Sequence, residues 1–316
     1  MRNFVQTFHY LILEPLKQKR LALIVLRTAQ LLHDKTQSRS DIWFQRLGKI
    51  IKPKVQLPIS LIMNESAIAT ITSSLLQHGS NILPFRLSAE DIASLKKFAF
   101  SVPAYTKDPS EKINISEANI PNEFPRYEWQ IPDLFRLPVV QKLIKDGPFH
   151  KIAQAYIGSR PTMTSVSLWL DTIYTKKYAA HVYHHDNDGP AFLKFFIYLT
   201  NVDLESGAHM YIDGSQGPGK PPHLSQSRRY ERSELIDYYG EEKEIIFAAP
   251  AGTVIAEDTS GFHKGTTPTK SYRLLLQIQY AMYDIPHIGE DSPVFEKVHI
   301  EGLPSSIQKI CHKFVK

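Results

Sequence analysis

Apolar positions recur at helical spacing through the first part of the chain and at strand spacing, or in short continuous runs, through the second. Leu11, Leu13, Leu16, Leu21, Ile24, Val25, Leu31 and Leu32 form a rough helical stripe, interrupted at Pro15, that predicts helix over residues 1–38. Residues 53–62 are punctuated by proline and predict extended chain. Asn64 stands where an N-cap belongs for a helix running to about Gln77, and Gly79 supplies its stop. Ser88 caps a further helix, with Asp91 three positions on to reach back. One more helix is expected over 139–157. Residues 101–135, rich in proline and polar groups, predict a long loop. Runs of β-branched and aromatic residues at 162–174, 192–202, 208–212, 244–248, 253–256 and 272–283 predict strands, several of them separated by Gly-Pro and Ser-Gly turns. Helices first and strands later imply an α+β fold with a helical side packed on a β core. Residues 214–240, with Gly, Pro, Ser and Arg and a short helical piece near 231–239, read as a large surface insertion, and no internal repeat is visible.

Composition narrows the class. The 316 residues are 42% hydrophobic and 22% charged, enough to bury a core, which excludes a disordered tail protein, a collagen-like chain and a coiled-coil rod. A single cysteine, Cys311, excludes an intrachain disulfide and Cys-rich zinc sites and fits a reducing, cytoplasmic setting. The densest early apolar stretch, 21–26, is far short of the roughly 20 residues a bilayer span needs. The apolar stretch 8–13 runs into Glu14, Pro15 and Lys17 rather than a cleavage site, so no signal peptide is expected. Charge is uneven. Of a net +5, residues 1–60 carry eleven basic and three acidic groups, net +8, leaving −3 for the remainder. A basic helical extension over 1–65 is therefore expected ahead of a main domain at 66–316. That extension reads as a solvated helical face or as a weak peripheral membrane contact, and no nucleic-acid motif accompanies it.

The chemistry concentrates at His181-Val-Tyr-His-His-Asp-Asn-Asp-Gly-Pro190, where His181, His184, His185, Asp186 and Asp188 are all of metal-ligand type. In a helix His181 and His185 would share a face. Asp188-Gly189-Pro190 and the β-rich flanks favour an extended chain, in which His184 and Asp186 project together and His185 points the other way. A third ligand is available at His263, just beyond the strand at 253–256. Ten residues on, Arg273 heads an otherwise apolar strand, an expensive place for a charge without a partner. Lys194, inside an aromatic strand, either lays its stem on apolar surface with its ammonium in water or reaches into the site. Ser167 and Trp169 share strand parity as pocket-lining candidates, Trp169 equally as core. His181 is a possible outer partner of the ligands, and Tyr198 and Gln277 read as scaffold.

Tyr183-His-His-Asp-Asn-Asp-Gly189, the strand Phe192 to Val202, Glu205-Ser-Gly207, Asp213-Gly-Ser215, Gly252-Thr-Val, His263 and Arg273, taken in this order, resemble the core of the phytanoyl-CoA dioxygenase family over roughly residues 79–285. The resemblance implies a double-stranded β-helix, or jelly-roll, core and an Fe(II)/2-oxoglutarate-dependent oxygenase that uses O2. It implies His184, Asp186 and His263 as iron ligands and Arg273 as the 2-oxoglutarate anchor. Lys194 and Ser167 are further co-substrate-binding candidates. Two histidines and one carboxylate on one face of a metal suit non-haem Fe(II) chemistry, leaving positions for a chelating keto acid and for O2. Guanidinium suits the far carboxylate because it is planar and permanently charged. Asn201, Gly207-Ala208 and Gln216 depart from the family pattern without touching a ligand position. Related halogenases carry a small residue in place of the aspartate, so Asp186 favours hydroxylation, with an aliphatic carbon of a small metabolite or acyl chain as target. The alternatives are a differently metallated cupin-like hydrolase or isomerase and a non-catalytic binding protein.

Overall fold

The helix expected after Asn64 forms as α2, Glu65–His78, behind α1, Asp41–Ile51. The Asn64 side chain accepts from the Ala67 amide at 2.8 Å, and Gly79 ends the helix at φ 79°. Asn64→Ala is expected to lower stability by about 1 kcal/mol in urea unfolding, the usual worth of such a cap. Residues 40–106, 111–129, 131–176, 178–217, 220–283 and 297–316, with isolated positions 28, 31 and 32, are described in this computed structural model; the helix expected over 1–38 lies essentially outside them. The strand β1 (Ser80–Arg86) follows α2, and Ser88 caps α3 (Ala89–Ala99) by accepting from the Asp91 amide at 3.1 Å.

The expected loop at 101–135 is in fact structured. It holds the short strands β2 (Ala104–Tyr105), β3 (Lys112–Ile113) and β4 (Arg126–Trp129) and the helix α4 (Ile131–Phe135). The single helix expected over 139–157 is two, α5 (Pro138–Asp146) and α6 (Phe149–Ile157). Gly147 is extended at ψ 139°, as the residue before a proline prefers, and Pro148 has no amide to continue the ladder. The expected strands appear as β5 (Thr162–Asp171), β6 (Phe192–Tyr198), β7 (His209–Ile212), β8 (Glu244–Phe247), β9 (Thr253–Glu257) and β11 (Arg273–Ala281), joined by β10 (His263–Gly265). A last helix, α8 (Ser305–Cys311), packs on β5.

These strands make two antiparallel sheets, an eight-stranded one in the order β1-β9-β6-β11-β5-β4-β2-β3 and a three-stranded one in the order β10-β7-β8. Strand alternation sorts the large sheet into two faces. Leu193, Phe195 and Ile197 of β6 and Leu274, Leu276 and Ile278 of β11 join one core with the helices. Phe196, Tyr198, Trp169, Ile255 and Leu275 face the other way and pack with Tyr211 and Phe247 of the small sheet. The polar side chains of the site lie on this inner face. The architecture is thus α+β, a large antiparallel sheet with helices on one side and a small sheet on the other.

The 214–240 segment is more than a surface insertion. Its Leu224 and Tyr230, with Leu235 of α7 (Arg232–Tyr239), are buried against Met210, Ile212, Tyr183 and Phe262, covering the outer face of the small sheet. Among the described residues no helix is long and apolar enough to cross a membrane.

Candidate metal centre

The segment 183–186 runs extended between two partners. His184 exchanges backbone hydrogen bonds with His263 (3.1 and 2.9 Å), and the Asp186 amide donates to Thr259 O at 2.8 Å. On the other side, Tyr230 N donates to Tyr183 O at 2.8 Å. Because antiparallel neighbours put their side chains on the same face, the His184 and His263 rings meet at 4.3 Å. Two residues along, Asp186 joins them. One donor atom from each of His184, Asp186 and His263 lies within 4.8 Å of the other two. His184 Nε2 is 3.9 Å from Asp186 Oδ1, and His263 Nε2 is 3.6 Å from Asp186 Oδ2.

The other ring nitrogens fix the tautomers. His184 Nδ1 donates to Val182 O at 2.9 Å and His263 Nδ1 to Gly261 O at 3.0 Å. Each Nε2 lone pair therefore points into the cluster, the arrangement a metal-binding histidine needs. Burial favours the neutral rings: His263 is pushed down to about 4 and His184 is also lowered, despite the neighbouring carboxylate. Burial alone would raise the Asp186 carboxyl, but the Lys194 ammonium beside it holds it well below the usual carboxylate range. Two neutral nitrogens and one ionised oxygen are a donor set that fits a divalent first-row metal.

Lys194 is drawn to the cluster. Its Nζ donates to Asp186 Oδ2 at 2.6 Å and lies 3.1 Å from Asp188 Oδ2, and these two acids overcome burial to keep it charged. Arg273 finds the partner that its position demanded in Asp171, at the end of β5 directly across from it. Its Nε and Nη2 donate to Asp171 Oδ2 at 3.0 and 2.7 Å, and Nη1 donates to Gly207 O. Arg126 donates to Asp171 Oδ1 at 3.0 Å while lying 4.4 Å over the Trp169 ring, whose Nε1 donates to Asp171 Oδ2 at 3.1 Å. Burial opposes the Asp171 charge, but the two guanidiniums hold its carboxyl at about 2. Glu128, two residues from Arg126 on β4, adds a second carboxylate that acts on the Arg126 charge. Ser167 shares the inner face and bonds Ser165 at 2.9 Å, Trp169 lies in the inner apolar cluster, and His181 Nδ1 meets Thr267 Oγ1 at 2.9 Å. His185 turns away, with Nε2 on Gln226 O at 3.1 Å and its ring against Phe262.

Sequence reasoning passed over a second buried pair. His209 Nε2 sits 3.0 and 2.9 Å from the two Glu257 oxygens, and the His209 ring lies 5.7 Å from His263. Burial pushes Glu257 up to about 8 and, helped by Arg273, His209 down to about 3, so a neutral carboxyl hydrogen-bonds a neutral imidazole at pH 7. A raised carboxyl stabilises the fold below its unfolded value of 4.5, and the benefit is lost as pH rises toward 8. Glu257→Gln, measured by urea unfolding, is therefore expected to become increasingly favourable relative to wild type between pH 5 and 8. The limit is about 1.4 kcal/mol per pH unit. A pH-independent difference would contradict the neutral pair.

In the 214–240 segment most cations have internal partners. Arg228 pairs with Glu234 at 2.6 Å, Arg232 with Glu241 at 2.8 Å and Glu244 at 2.7 Å, and buried Lys220 donates to Gly217 O at 3.1 Å. Arg229 is exposed, and the Tyr183–Tyr230 bridge sets it beside His184, whose protonation it disfavours.

No protein-family model matches the sequence, and no curated protein matches it. Solved structures do resemble it in fold. The non-heme alpha ketoglutarate dependent epimerase SnoN from nogalamycin biosynthesis is 14% identical, over 70% of this chain and 84% of that one, with a TM-score of 0.50. EctD from S. alaskensis, with 2-oxoglutarate and 5-hydroxyectoine, is 21% identical, over 72% of this chain and 82% of that one, also with a TM-score of 0.50. The chain shares with these structures a fold, with helices packed against an antiparallel β core.

Proposed function

We propose that this protein is a non-haem Fe(II)/2-oxoglutarate-dependent oxygenase on a jelly-roll core, acting on an aliphatic carbon of a small metabolite or acyl chain. The observation that carries the reading is the convergence of His184, Asp186 and His263 with both Nδ1 atoms bound to backbone carbonyls and both Nε2 atoms turned inward. The fold likeness to SnoN and EctD supports it. The intact carboxylate ligand leaves no small-residue gap for a halide, which favours hydroxylation over halogenation.

When bound, iron and 2-oxoglutarate would supply oxidation by O2 coupled to decarboxylation of the keto acid to succinate. His184, Asp186 and His263 would hold the metal on one face. Lys194 holds Asp186 through one oxygen and so limits how that carboxylate can turn. The Arg273 guanidinium, held by Asp171 on the inner face, suits the distal carboxylate of a dicarboxylic acid, with Arg273 as the direct anchor and Asp171 orienting its guanidinium. Ser167 lines the same interior. Arg229, beside His184, suits an anionic group on the substrate.

Protein reconstituted with Fe(II) is expected to convert 2-oxoglutarate to succinate in the presence of O2, slowly alone and faster with substrate. Stoichiometric bound zinc with no consumption of 2-oxoglutarate under any of these conditions would refute the reading.

A further inference from the structure

Fifteen large hydrophobic side chains are exposed among the described residues, and eight of them fall between positions 42 and 62. The most prominent are Trp43, Ile50, Ile59 and Leu61, at 68, 77, 82 and 84% exposure. On α1, Trp43, Leu47 and Ile50 follow i, i+4, i+7 spacing and make one outward stripe. Arg46 flanks the stripe, 5.2 Å over the Trp43 ring, and exposed Lys49 lies further round the same side, its stem over Gly158. The only acid of the helix, Asp41, is buried on the opposite face.

The helix is firmly seated. Gly48 lies so close to Met282 that an added Cβ would collide with its sulfur, and Phe44 packs on the main core. Gln45 Nε2 donates to Pro190 O at 2.6 Å, Tyr283 Oη to Phe44 O at 2.8 Å, and Lys52 Nζ to Thr162 Oγ1 at 2.6 Å and Met282 O at 2.8 Å. An inner face this well tied presents the outer stripe as a fixed feature. That stripe is convex, apolar at its crest and basic at its flank.

We propose that the outer face of α1 docks on an anionic lipid surface. Trp43, Leu47 and Ile50 enter the interfacial layer, and Arg46 and Lys49 meet the headgroups. A tryptophan and branched aliphatics on one face with basic groups beside them are the composition of interfacial helices. Charge selects this occupant over a second copy of the chain. A symmetric pairing through this face would set Arg46 and Lys49 against like charges, with no exposed acid on the helix to offset them. The preceding 39 residues add seven basic and two acidic side chains, in keeping with an anionic partner. The Gln45–Pro190 bond ties the docked helix to the segment that carries Asp186 and Asp188. The inference is independent of the reaction proposed above.

The chain carries its own reporter. Of its three tryptophans, Trp129 and Trp169 are 3% and 6% exposed, so Trp43 alone among them faces solvent. Full-length protein mixed with phosphatidylserine/phosphatidylcholine vesicles is expected to co-sediment and to show a blue shift of tryptophan emission. Both effects should be absent with phosphatidylcholine alone and weakened by salt. Trp43→Phe should abolish the shift and keep the binding. Arg46→Gln with Lys49→Gln should lower partitioning about 25-fold, from roughly fivefold per charge. Leu47→Asp with Ile50→Asp, both at exposed positions, should abolish binding while leaving the melting temperature and metal uptake intact. Three results would overturn the proposal: no binding to the phosphatidylserine vesicles, binding indifferent to all the α1 variants, or a concentration-dependent dimer that Leu47→Asp with Ile50→Asp dissolves.

Discussion

Asp186→Ala is expected to lower divalent-metal affinity by more than about 100-fold and to bring succinate formation to background. Changes among the partners that merely orient metal ligands already cost 10–100-fold, and this one removes a ligand outright. It also removes the only anion of the triad, leaving two neutral imidazoles. In addition, it releases Lys194 from its 2.6 Å contact, so an ammonium remains beside the position a cation should take. The fold should survive, because the Asp186 side chain is 23% exposed and Lys194 keeps Asp188 at 3.1 Å. Calorimetric titration of Fe(II) under anaerobic conditions, or of Co(II) in air, reads the affinity directly. His185→Ala is the contrast. That ring bonds Gln226 O and packs on Phe262, so its loss should cost stability and leave metal affinity within a few-fold of wild type. If the two variants bound metal equally well, the parity that separates His184 and Asp186 from His185 would be misassigned.

Asp171→Ala is expected to destabilise the protein by about 3–5 kcal/mol, the usual cost of breaking a buried ion pair by deleting one partner. Asp171 has no exposed side-chain surface and accepts from Arg273, Arg126 and the Trp169 indole. Its removal leaves the Arg273 guanidinium, 3% exposed, with no anion, only the Gly207 carbonyl and the Tyr198 hydroxyl beside it. Arg126, at 20%, can turn partly to water. The effect has a pH signature. A carboxyl held at about 2 stabilises the fold above its unfolded value of 3.8, and the benefit is lost as pH falls through 2. The gap in urea midpoint between wild type and Asp171→Ala should therefore close on acidification from 3.8 toward 2. Asp171→Asn, which keeps the shape and an acceptor, should fall between them. A loss under about 1 kcal/mol for the alanine variant would mean that Arg273 has another anion in solution, and 2-oxoglutarate itself would then be the first to test.

The strands that build the site were legible because their apolar runs are long and bounded by turns, as in Phe192–Tyr198 and Arg273–Ala281. Period-two alternation was enough to put His184 and Asp186 on one face and His185 on the other. The cost of an unpaired charge required a partner for Arg273, but the partner lies 102 residues away, and only strand register identifies it as Asp171. Lys194 was open between water and the site, and the group that draws it inward is Asp186, eight residues back, with Asp188 beside it. Nothing in sequence marks His209 and Glu257 as neighbours, since they stand singly in separate strands 48 residues apart. The break at Gly147-Pro148 was a readable stop that helical periodicity on both sides concealed. Strands of two residues, such as Ala104–Tyr105, are too short to alternate, which is why 101–135 looked like loop. In 214–240 the apolar anchors Leu224, Tyr230 and Leu235 are too sparse to show a period, although they fix the whole segment to the small sheet.

The most direct test is anaerobic absorption spectroscopy of the protein with Fe(II) and 2-oxoglutarate. A visible metal-to-ligand charge-transfer band is expected in the wild type, absent in His184→Ala and Asp186→Ala and requiring a markedly higher 2-oxoglutarate concentration in Arg273→Ala. A wild-type protein that binds Fe(II) and gives no such band at saturating 2-oxoglutarate, or a band unchanged in Asp186→Ala, would contradict the His184–Asp186–His263 centre and its co-substrate.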